Sequence, residues 1–396
     1  MEVSKKNYEF TGSIKTISLA LAVVGAIAFG MSFAMNAYVG WVDLLVAMLY
    51  VTTISISGIF VLSVSGVIQA SWSTPYKRIF EAMMSFIPVS FILLAIPVIM
   101  GAHSLYEWTH KEVVANDPIL SEKTAWLNEP RFFVTYVIIF AIWFFLSVVI
   151  RRFSDKMDSE NGVEAAKKFV GFSAISLILF ALTVSAAAFD WVMSLEPHWF
   201  STIFGVYIFA GTFVSGIAFT TLVVIYLKSK GYFAGVITDN HLHDLGKWMF
   251  GMSVFWAYIW ISQYLLIWYA NVPEETEYYV LRHHEWGSVF WINLALNFVL
   301  PFFVLMTRGA KRNVKVLRVA CTIILIGHFV DLYLMVAPKV FEHHEIHGLA
   351  GAGVLQALQL IGVLGLFTFV VFRSLSKRKL VPSQDPTFAE GAHLHQ

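Results

Sequence analysis

A histidine and an aspartate stand three residues apart in the apolar run at residues 316–337. On a helix, His328 and Asp331 would lie on one face, because side chains at i and i+3 are neighbours. Ionisable side chains are costly inside a bilayer and commonly mark proton or ion pathways. A neutral imidazole beside a carboxylate can pass protons by exchanging hydrogen bonds. The alternative is a structural pair that holds helices together.

A second polar cluster lies in the stretch FDWVMSLEPHWFSTIFG, residues 189–205, between two apolar runs. Asp190 lies about one turn inside the first run, and Glu196 and His198 follow at the corner. A carboxylate near an imidazole at a membrane surface suits removal of a proton from a quinol hydroxyl. Glu196 and His198 are equally suited to capping the start of the next helix.

The elements that carry these residues are long apolar runs. Hydrophobic residues make up 58% of the chain and charged residues 13%, whereas a soluble domain is about one-quarter charged. Runs of about 20 apolar residues can cross a bilayer as helices, and they lack the period-two alternation of barrel strands. The sequence predicts an all-α polytopic membrane protein with ten spans, at 14–37, 43–69, 78–101, 131–150, 168–194, 200–227, 247–270, 286–306, 316–337 and 350–373.

Basic residues are distributed unevenly between the two sides of these spans. If the N-terminus is cytoplasmic, 22 of the 27 lysines and arginines fall in cytoplasmic segments, as the positive-inside rule requires. We therefore expect both termini in the cytoplasm, with the first run kept as a span rather than a signal peptide. The prediction is one integral domain over 1–396 in a bacterial inner membrane. Its cytoplasmic tail is 374–396, with 382–396 disordered.

This orientation orders the candidate residues across the membrane. Glu81 lies at the inner start of the third span, beside Lys77 and Arg78, where it suits either an ion pair or the inner mouth of a proton path. Asp43 opens the second span at the outer surface. The predicted proton path consists of Glu81, His328, Asp331 and Asp190, and the predicted outer-corner site, for quinol or for subunit docking, of Asp43, Asp190, Glu196 and His198. Amide side chains within the spans more often hold helices together: Gln263, Asn293, Asn297, Gln356 and Gln359.

A weak internal repeat relates two of the spans. DWVMSLEPHWF begins at Asp190 and DLYLMVAPKVF begins at Asp331, and in both the aspartate is followed by proline seven and phenylalanine ten residues later. Parallel repeats are common in membrane folds. The repeat predicts two four-helix bundles, at 43–194 and 200–337, flanked by the spans 14–37 and 350–373.

Redox metals are not expected in this chain. A single cysteine, Cys321, excludes an internal disulfide, a CxxCH haem site and a four-cysteine iron–sulfur site. His343 and His347 in EHHEIHG lack the HExxH spacing of zinc proteases. No metal ligand is therefore predicted. The basic loops lack interleaved aromatic residues, so nucleic-acid binding is not supported either.

The stretch FDWVMSLEPHWFSTIFGVYIFAGTFVSG, residues 189–216, resembles the corner of the NrfD/PsrC-like membrane subunits, and in particular the ActF-type subunit of bacterial alternative complex III. The ten-span plan and the doubled bundle are similar too. The resemblance implies a subunit of a quinol:electron acceptor oxidoreductase, with menaquinol oxidised near the outer face and electrons passed to cytochrome c or an oxidase. The implied partners are membrane lipid, a related ten-helix ActC-like sister subunit, a multihaem cytochrome c subunit, an iron–sulfur subunit and a terminal oxidase. The haems and iron–sulfur clusters are expected in the peripheral partner subunits and not in this chain.

One departure from the family pattern affects the expected role. Quinone-binding sister subunits are expected to carry Pro–Gly–Trp–His followed by Phe–Pro–Pro–Tyr, whereas this chain reads PHWF at 197–200 and FGVY at 204–207. The imidazole lies two places earlier and the prolines are missing. We therefore expect a scaffold with a proton path, and a quinol-binding subunit is the alternative.

A secondary transporter is the alternative from another class. Transporters often break spans near the bilayer centre with glycine or proline to build a substrate site. Pro88 and Pro97 kink the third span, but the second half of the sequence shows no matching pair. The sequence therefore favours the respiratory subunit over the transporter.

Overall fold

The computed structural model describes residues 8–346 and 353–393, which are helical and contain no β-strand. Ten of the helices are long and apolar enough to cross a membrane, so the predicted all-α polytopic fold is confirmed. Numbered in chain order, spans 1 to 10 are Ser13–Met35, Ala37–Val67, Thr74–Met100, Glu129–Met157, Gly162–Leu195, Phe204–Ser229, Asp239–Ala270, Gly287–Leu305, Val314–His343 and Val354–Leu375.

Spans 2 and 7 begin well before their predicted starts, and a polar side chain caps each of them. Span 2 begins at Ala37 rather than 43, since the Asn36 side chain accepts hydrogen bonds from the next backbone N–H groups, the shorter at 2.9 Å. Span 7 begins at Asp239 rather than 247, capped by the Thr238 side chain. Hydrophobicity marks where a span crosses the bilayer, and the caps decide where its helix begins.

Span 9 runs past its predicted end at residue 337 and continues through a proline. The helix continues through Pro338 to His343, although proline cannot donate to the carbonyl four residues earlier. That carbonyl, of Leu334, accepts from Nε of Arg282 at 3.0 Å, and the carbonyl of Met335 accepts from Nη2 at 2.9 Å. An arginine from another helix therefore satisfies the backbone group that the proline frees.

The spans pack as two groups of four, 2–5 and 6–9, with spans 2, 6 and 9 in mutual contact where the groups meet. These three spans bury the largest share of their apolar stretches. Spans 1 and 10 form a closely packed pair beside span 2. A Cβ built on Gly25 would lie 2.5 Å from Cα of Gly362, so glycine at this crossing permits the close approach. The interior seam of the molecule is therefore formed by spans 2, 6 and 9.

Both ends of the described chain lie on the same side of the helices. The Tyr8 ring packs 5.3 Å from that of Tyr232, in the loop between spans 6 and 7, and 5.5 Å from that of Phe372, near the end of span 10. We call this the inner side, and the opposite side the outer side. An even number of spans places both ends together, as the sequence analysis expected.

The C-terminal tail is ordered, and the prediction of disorder is wrong for its described residues, up to 393. Asp385 forms an ion pair with Lys77 at the start of span 3. The carbonyl of Gly391 contacts Nε2 of His241 at 2.8 Å, and Phe388 is buried. The tail lacks the long apolar runs that predict structure, and it is held instead by contacts with the inner ends of spans 3 and 7.

Candidate functional site

The centre of the site is Asp331 on span 9, which is almost completely buried. Its Oδ1 accepts hydrogen bonds from the hydroxyl of Tyr207 and from Nδ2 of Asn293, the latter at 2.8 Å. Its Oδ2 accepts from Nε1 of Trp256 at 2.9 Å. We call Asp331 and these three donors, which come from spans 6, 8 and 7, the Asp331 site.

All three donors are uncharged, and Asp331 forms no ion pair with any residue that the structure describes. Buried charges in proteins are normally paired. A carboxylate accepts hydrogen bonds at both oxygens, so donors at both positions fit the ionised form. Uptake of one proton would remove the charge without breaking an ion pair. The site can therefore alternate between a charged and a neutral form, as a proton-carrying residue must.

Span 8 changes its winding beside the Asp331 site, where Ala295–Val299 forms a π-helical turn. Nδ2 of Asn297, in this turn, donates to Oδ1 of Asn293 at 2.6 Å and to the carbonyl of Gly327 on span 9 at 2.9 Å. Asn293 thereby points its own amide nitrogen at Asp331. π turns occur frequently at functional sites. The expectation that these amides join helices is confirmed, and they also orient a donor of the site.

His328 and Asp331 have different hydrogen-bond partners. Nε2 of His328 hydrogen-bonds with Oγ1 of Thr53 on span 2 at 3.0 Å, and its Nδ1 is buried without a hydrogen-bond partner among the described residues. A Cβ built on Gly211 of span 6 would lie 2.7 Å from that Nδ1, so this glycine leaves room for the ring. The hydrogen bonds of His328 and Asp331 go to other described residues and not to each other, which corrects the expectation of a bonded pair.

Sequence reasoning did not identify Tyr207, Trp256 and Thr53 as partners in this centre. They belong to spans 6, 7 and 2, which are distant in sequence from span 9, so no local spacing connects them to it. The one available signal was a tyrosine or tryptophan within an apolar span, because its polar atom usually finds a partner when it is buried.

Glu81 lies at the inner end of span 3 and is held by two arginines. Its Oε2 accepts from Nη1 of Arg78 and from Nη1 of Arg378, both at 2.9 Å, and its Oε1 accepts from Oγ of Ser154 at 2.6 Å. Both arginines also pair with Asp155. The ion-pair interpretation is confirmed, and a role as the inner mouth of a proton path stays a prediction.

Asp190, at the outer end of span 5, is fully buried against a cation. Its two oxygens accept from Nη1 and Nη2 of Arg131 at 3.0 and 2.9 Å, and the guanidinium lies over the Trp126 ring at 4.2 Å. Asp190, on span 5, is bound by Arg131 from span 4. In the same way Asp331, on span 9, is bound by Asn293 from span 8. The two aspartates of the weak repeat thus use corresponding spans of the two groups, but only Asp190 is neutralised by a cation.

Glu196 pairs with Arg282, which comes from the outer helix Pro273–His284, at 2.5 Å. Burial raises the pKa of Glu196 above its ordinary value, although the charge of Arg282 opposes this. Arg282 is 1% exposed and lies over the Tyr278 ring at 3.4 Å. Since the same guanidinium also bonds two carbonyls of span 9, this pair clamps the corner to that span.

His198 is half-buried, and its Nε2 contacts Oδ2 of Asp117 in the outer loop at 2.5 Å. The backbone N–H of Leu120 and then His198 hold the pKa of Asp117 below its usual range. Span 6 begins without a side-chain cap. The prediction that Glu196 and His198 cap span 6 is therefore wrong, because both side chains have partners elsewhere.

Asp43 lies inside the helix packing rather than at the outer surface. It accepts from Oγ of Ser32 at 2.6 Å, from Nε2 of Gln356 at 3.1 and 3.2 Å and from Nε2 of Gln359 at 3.1 Å. The expectation that Asp43 opens span 2 is corrected, since that helix begins at Ala37. Asp43 joins spans 1 and 10 to span 2.

The four residues of the predicted outer-corner site therefore have separate partners: Asp43 with a serine and two glutamines, Asp190 with Arg131, Glu196 with Arg282, and His198 with Asp117. Asp43 and Asp331 are alike in lacking a cation. Asp43 is on span 2 but takes its donors from the peripheral spans 1 and 10, whereas Asp331, on span 9, takes its donors from spans 6, 7 and 8. The Asp331 site is for that reason the stronger candidate for proton chemistry.

Metal ligation receives no support from the residues that the structure places. Among them, no group of three histidine, cysteine, aspartate or glutamate side chains is arranged to hold a metal ion. Of the EHHEIHG motif, His343 is described, whereas His347 lies outside the described residues. Cys321 is a free thiol, and it is buried.

Neither the models of known protein families nor the curated proteins give a match to this sequence. A functional assignment therefore depends on the geometry of the site and on the resemblance of residues 189–216.

Proposed function

We propose that this chain is a membrane subunit of a bacterial respiratory complex of the alternative complex III type, which oxidises quinol for cytochrome c or another acceptor. In this proposal the chain carries no redox metal, serves as scaffold and conducts protons. The observation that carries it is the Asp331 carboxylate, buried at the seam of the two helix groups with three neutral donors. The resemblance of residues 189–216 supports the assignment to this class of complex.

The proposed path runs from Glu81 through His328 and Asp331 to Asp190. The central pair has the strongest support, because an imidazole nitrogen and a carboxylate lie there without a charged partner. The two ends are held by arginines. Glu81 and Asp190 are in this proposal the places where the path reaches water on either side.

Buried hydroxyl groups support the inner half of this path. Thr53 contacts His328, and Ser55, half a turn further along span 2, donates to the carbonyl of Met83 on span 3 at 2.9 Å. Glu81 lies on the same span, two residues before Met83. Further hydroxyls of spans 2 and 6 are completely buried: Ser57, Thr212, Ser215, Thr220 and Thr221. Such groups both donate and accept, so they are suitable carriers between ordered waters.

The same proposal assigns the outer corner to docking rather than to quinol. The carboxylates of Asp190 and Glu196 are occupied by arginines, and the Trp199 ring stacks on Tyr278 at 4.0 Å. A rigid corner suits contact with the proposed partners, which are an ActC-like sister subunit, a multihaem cytochrome c subunit, an iron–sulfur subunit and a terminal oxidase. Menaquinol would bind in the sister subunit, and haems and iron–sulfur clusters would lie in the peripheral ones.

A secondary transporter is a second candidate, favoured by one observation. Span 3 contains a π turn at Ile96–Met100 and span 8 one at Ala295–Val299, each with a proline in it or close after it. The second half of the chain thus has a π turn followed by Pro301, and the sequence pattern did not predict this irregularity of span 8. If the purified chain alone moved a solute into liposomes, this candidate would replace the respiratory subunit.

Affinity purification from the native membrane tests the assignment to a complex. The tagged chain should bring with it multihaem and iron–sulfur proteins, a visible haem spectrum and quinol oxidation activity. A tagged, unrelated ten-span protein from the same membrane is the control for non-specific capture. A colourless chain recovered alone in several mild detergents would contradict the proposal.

A further inference from the structure

A cavity of about 500 Å³ lies on the inner side, between the ends of spans 2, 3, 4 and 5 and the tail. Ligand sites commonly occupy about 300–1,000 Å³, so it is large enough for one hydrocarbon chain and part of a head group. One wall is apolar, formed by Leu62, Ile150, Phe169 and Val170. The quinol and proton roles proposed above make no use of this cavity wall.

The other end of the cavity is polar and faces the inner surface. Lys77 and Asp385 form an ion pair there, and the hydroxyls of Thr74 and Thr387 are 2.8 Å apart. The charges of Lys77 and Asp385 cancel. Glu81 also lines the cavity, and its charge is neutralised by two arginines.

Lys167 is the cation at the cavity that could bind an anionic group. Lys167 lines the cavity, is exposed, and forms no hydrogen bond or ion pair with the residues that the structure describes. The neighbouring Lys168 differs, because it pairs with Glu164 at 2.7 Å and does not line the cavity. The lining therefore combines an apolar wall, a neutral polar floor and one positive charge at the mouth.

We propose that this cavity binds one anionic phospholipid from the leaflet on the inner side. An acyl chain would lie on the apolar wall, and the phosphate would lie beside Lys167. Most lysines and arginines of the chain belong to this side, and anionic lipids gather at basic membrane surfaces. The positive charge of Lys167, which only Glu164 among the described carboxylates offsets in part, favours an anionic head group over a neutral one. The proposal is independent of the respiratory assignment.

Native mass spectrometry of the purified full chain tests this site. The delipidated protein is offered phosphatidylglycerol and phosphatidylcholine in equal amounts, and retained lipid is counted. We expect one phosphatidylglycerol per chain. Lys167→Gln should lower the preference for phosphatidylglycerol about fivefold, whereas the matched control Lys168→Gln should keep the wild-type ratio. Equal retention of both lipids by the wild type, or the same ratio in both variants, would overturn the proposal.

A second variant tests the cavity rather than the charge. Ala166→Phe places a ring in the cavity and should abolish retention of phosphatidylglycerol, with thermal melting and gel filtration showing that the protein is folded. If it does not fold, the lysine pair still decides. Retention of phosphatidylglycerol by folded Ala166→Phe, or of a quinone or detergent in place of phospholipid by the wild type, would show that the site is not a phospholipid site.

Discussion

At the scale of single residues, the carboxylates of this protein fall into two kinds. Glu81, Asp190 and Glu196 are each held by arginine, whereas Asp43 and Asp331 are held only by neutral donors. Removing an arginine leaves a buried charge unpaired, while protonating a carboxylate held by neutral donors removes a charge. The first kind stabilises the helix arrangement, and the second kind can change its protonation state within it.

Gly211 is predicted to be essential for the position of His328. In Gly211→Ala the new Cβ would lie 2.7 Å from the imidazole, so the ring must leave its present position. Overpacking of a core costs about 1–3 kcal/mol, and we expect a lower melting temperature in detergent. Gly171→Ala, where the new Cβ meets nothing within 4 Å, is the matched control and should melt no lower than the wild type. Equal melting of both variants would show that the histidine environment tolerates the methyl group.

Replacement of Arg282 is predicted to be among the most destabilising changes at the outer corner. Arg282→Met leaves Glu196 buried without a cation and the carbonyl of Leu334 without a donor. Breaking a buried ion pair costs about 3–5 kcal/mol. Thermal unfolding should show this loss. Lys339→Met, which removes partly exposed pairs with Glu277 and Glu342, should cost less than Arg282→Met, about 1 kcal/mol.

A double substitution separates the charge effect from the lost packing. Adding E196Q to R282M removes the unpaired carboxylate, so the double variant should be more stable than R282M alone. If it is not, the carbonyl contacts of Arg282 rather than its ion pair hold the corner.

At the scale of elements, hydrophobic length predicted which segments are spans, and side-chain contacts determined where they end. All ten predicted spans are present, but Asn36 and Thr238 begin two of them early and Arg282 lets span 9 continue through Pro338. These contacts involve either a cap just outside the apolar run or a residue from another helix. Hydropathy contains neither kind of information.

The tail provides a prediction for pH dependence. Burial tends to raise the pKa of Asp385, but the charge and hydrogen bond of Lys77, followed by Thr387, outweigh it and hold the pKa below its ordinary value. A folded-state pKa below the unfolded value of about 4 stabilises the docked tail above that pH. The stabilisation is lost as the pH falls through the lower folded value. Hydrogen exchange of residues 382–393 should be protected equally from about pH 5 to 8 and lose protection below about pH 4.

Asp385→Asn should reproduce the acid behaviour at neutral pH. The neutral side chain no longer pairs with Lys77, so the tail should exchange faster or become sensitive to protease while the spans stay protected. Glu390→Gln is the control, because it is a change of the same type in the tail at a residue that forms no ion pair with the described residues. Unchanged exchange in Asp385→Asn would mean that Phe388 and the contact between His241 and Gly391 hold the tail by themselves.

At the scale of the whole molecule, the sequence predicted the fold class and some of the candidate site. His328 and Asp331 were identified because charges within apolar runs are rare, yet their partners Thr53, Tyr207 and Trp256 are tertiary contacts. The separation of the outer-corner residues is tertiary too, since Arg131 reaches the corner from span 4 and Arg282 from the outer helix Pro273–His284. Side-chain chemistry is therefore visible in the sequence, whereas the choice between a functional and a structural role depends on which helices meet.

The most direct test measures proton translocation by the purified complex in liposomes, with quinol oxidation followed in the same sample. Asp331→Asn keeps the size of the side chain and removes the titratable group. We predict that quinol oxidation continues and that proton translocation is lost, while Asp43→Asn, the other carboxylate without a cation, shows whether the central seam is the path. Unchanged proton translocation in Asp331→Asn would contradict the account, and its loss in Asp43→Asn alone would place the path under spans 1 and 10.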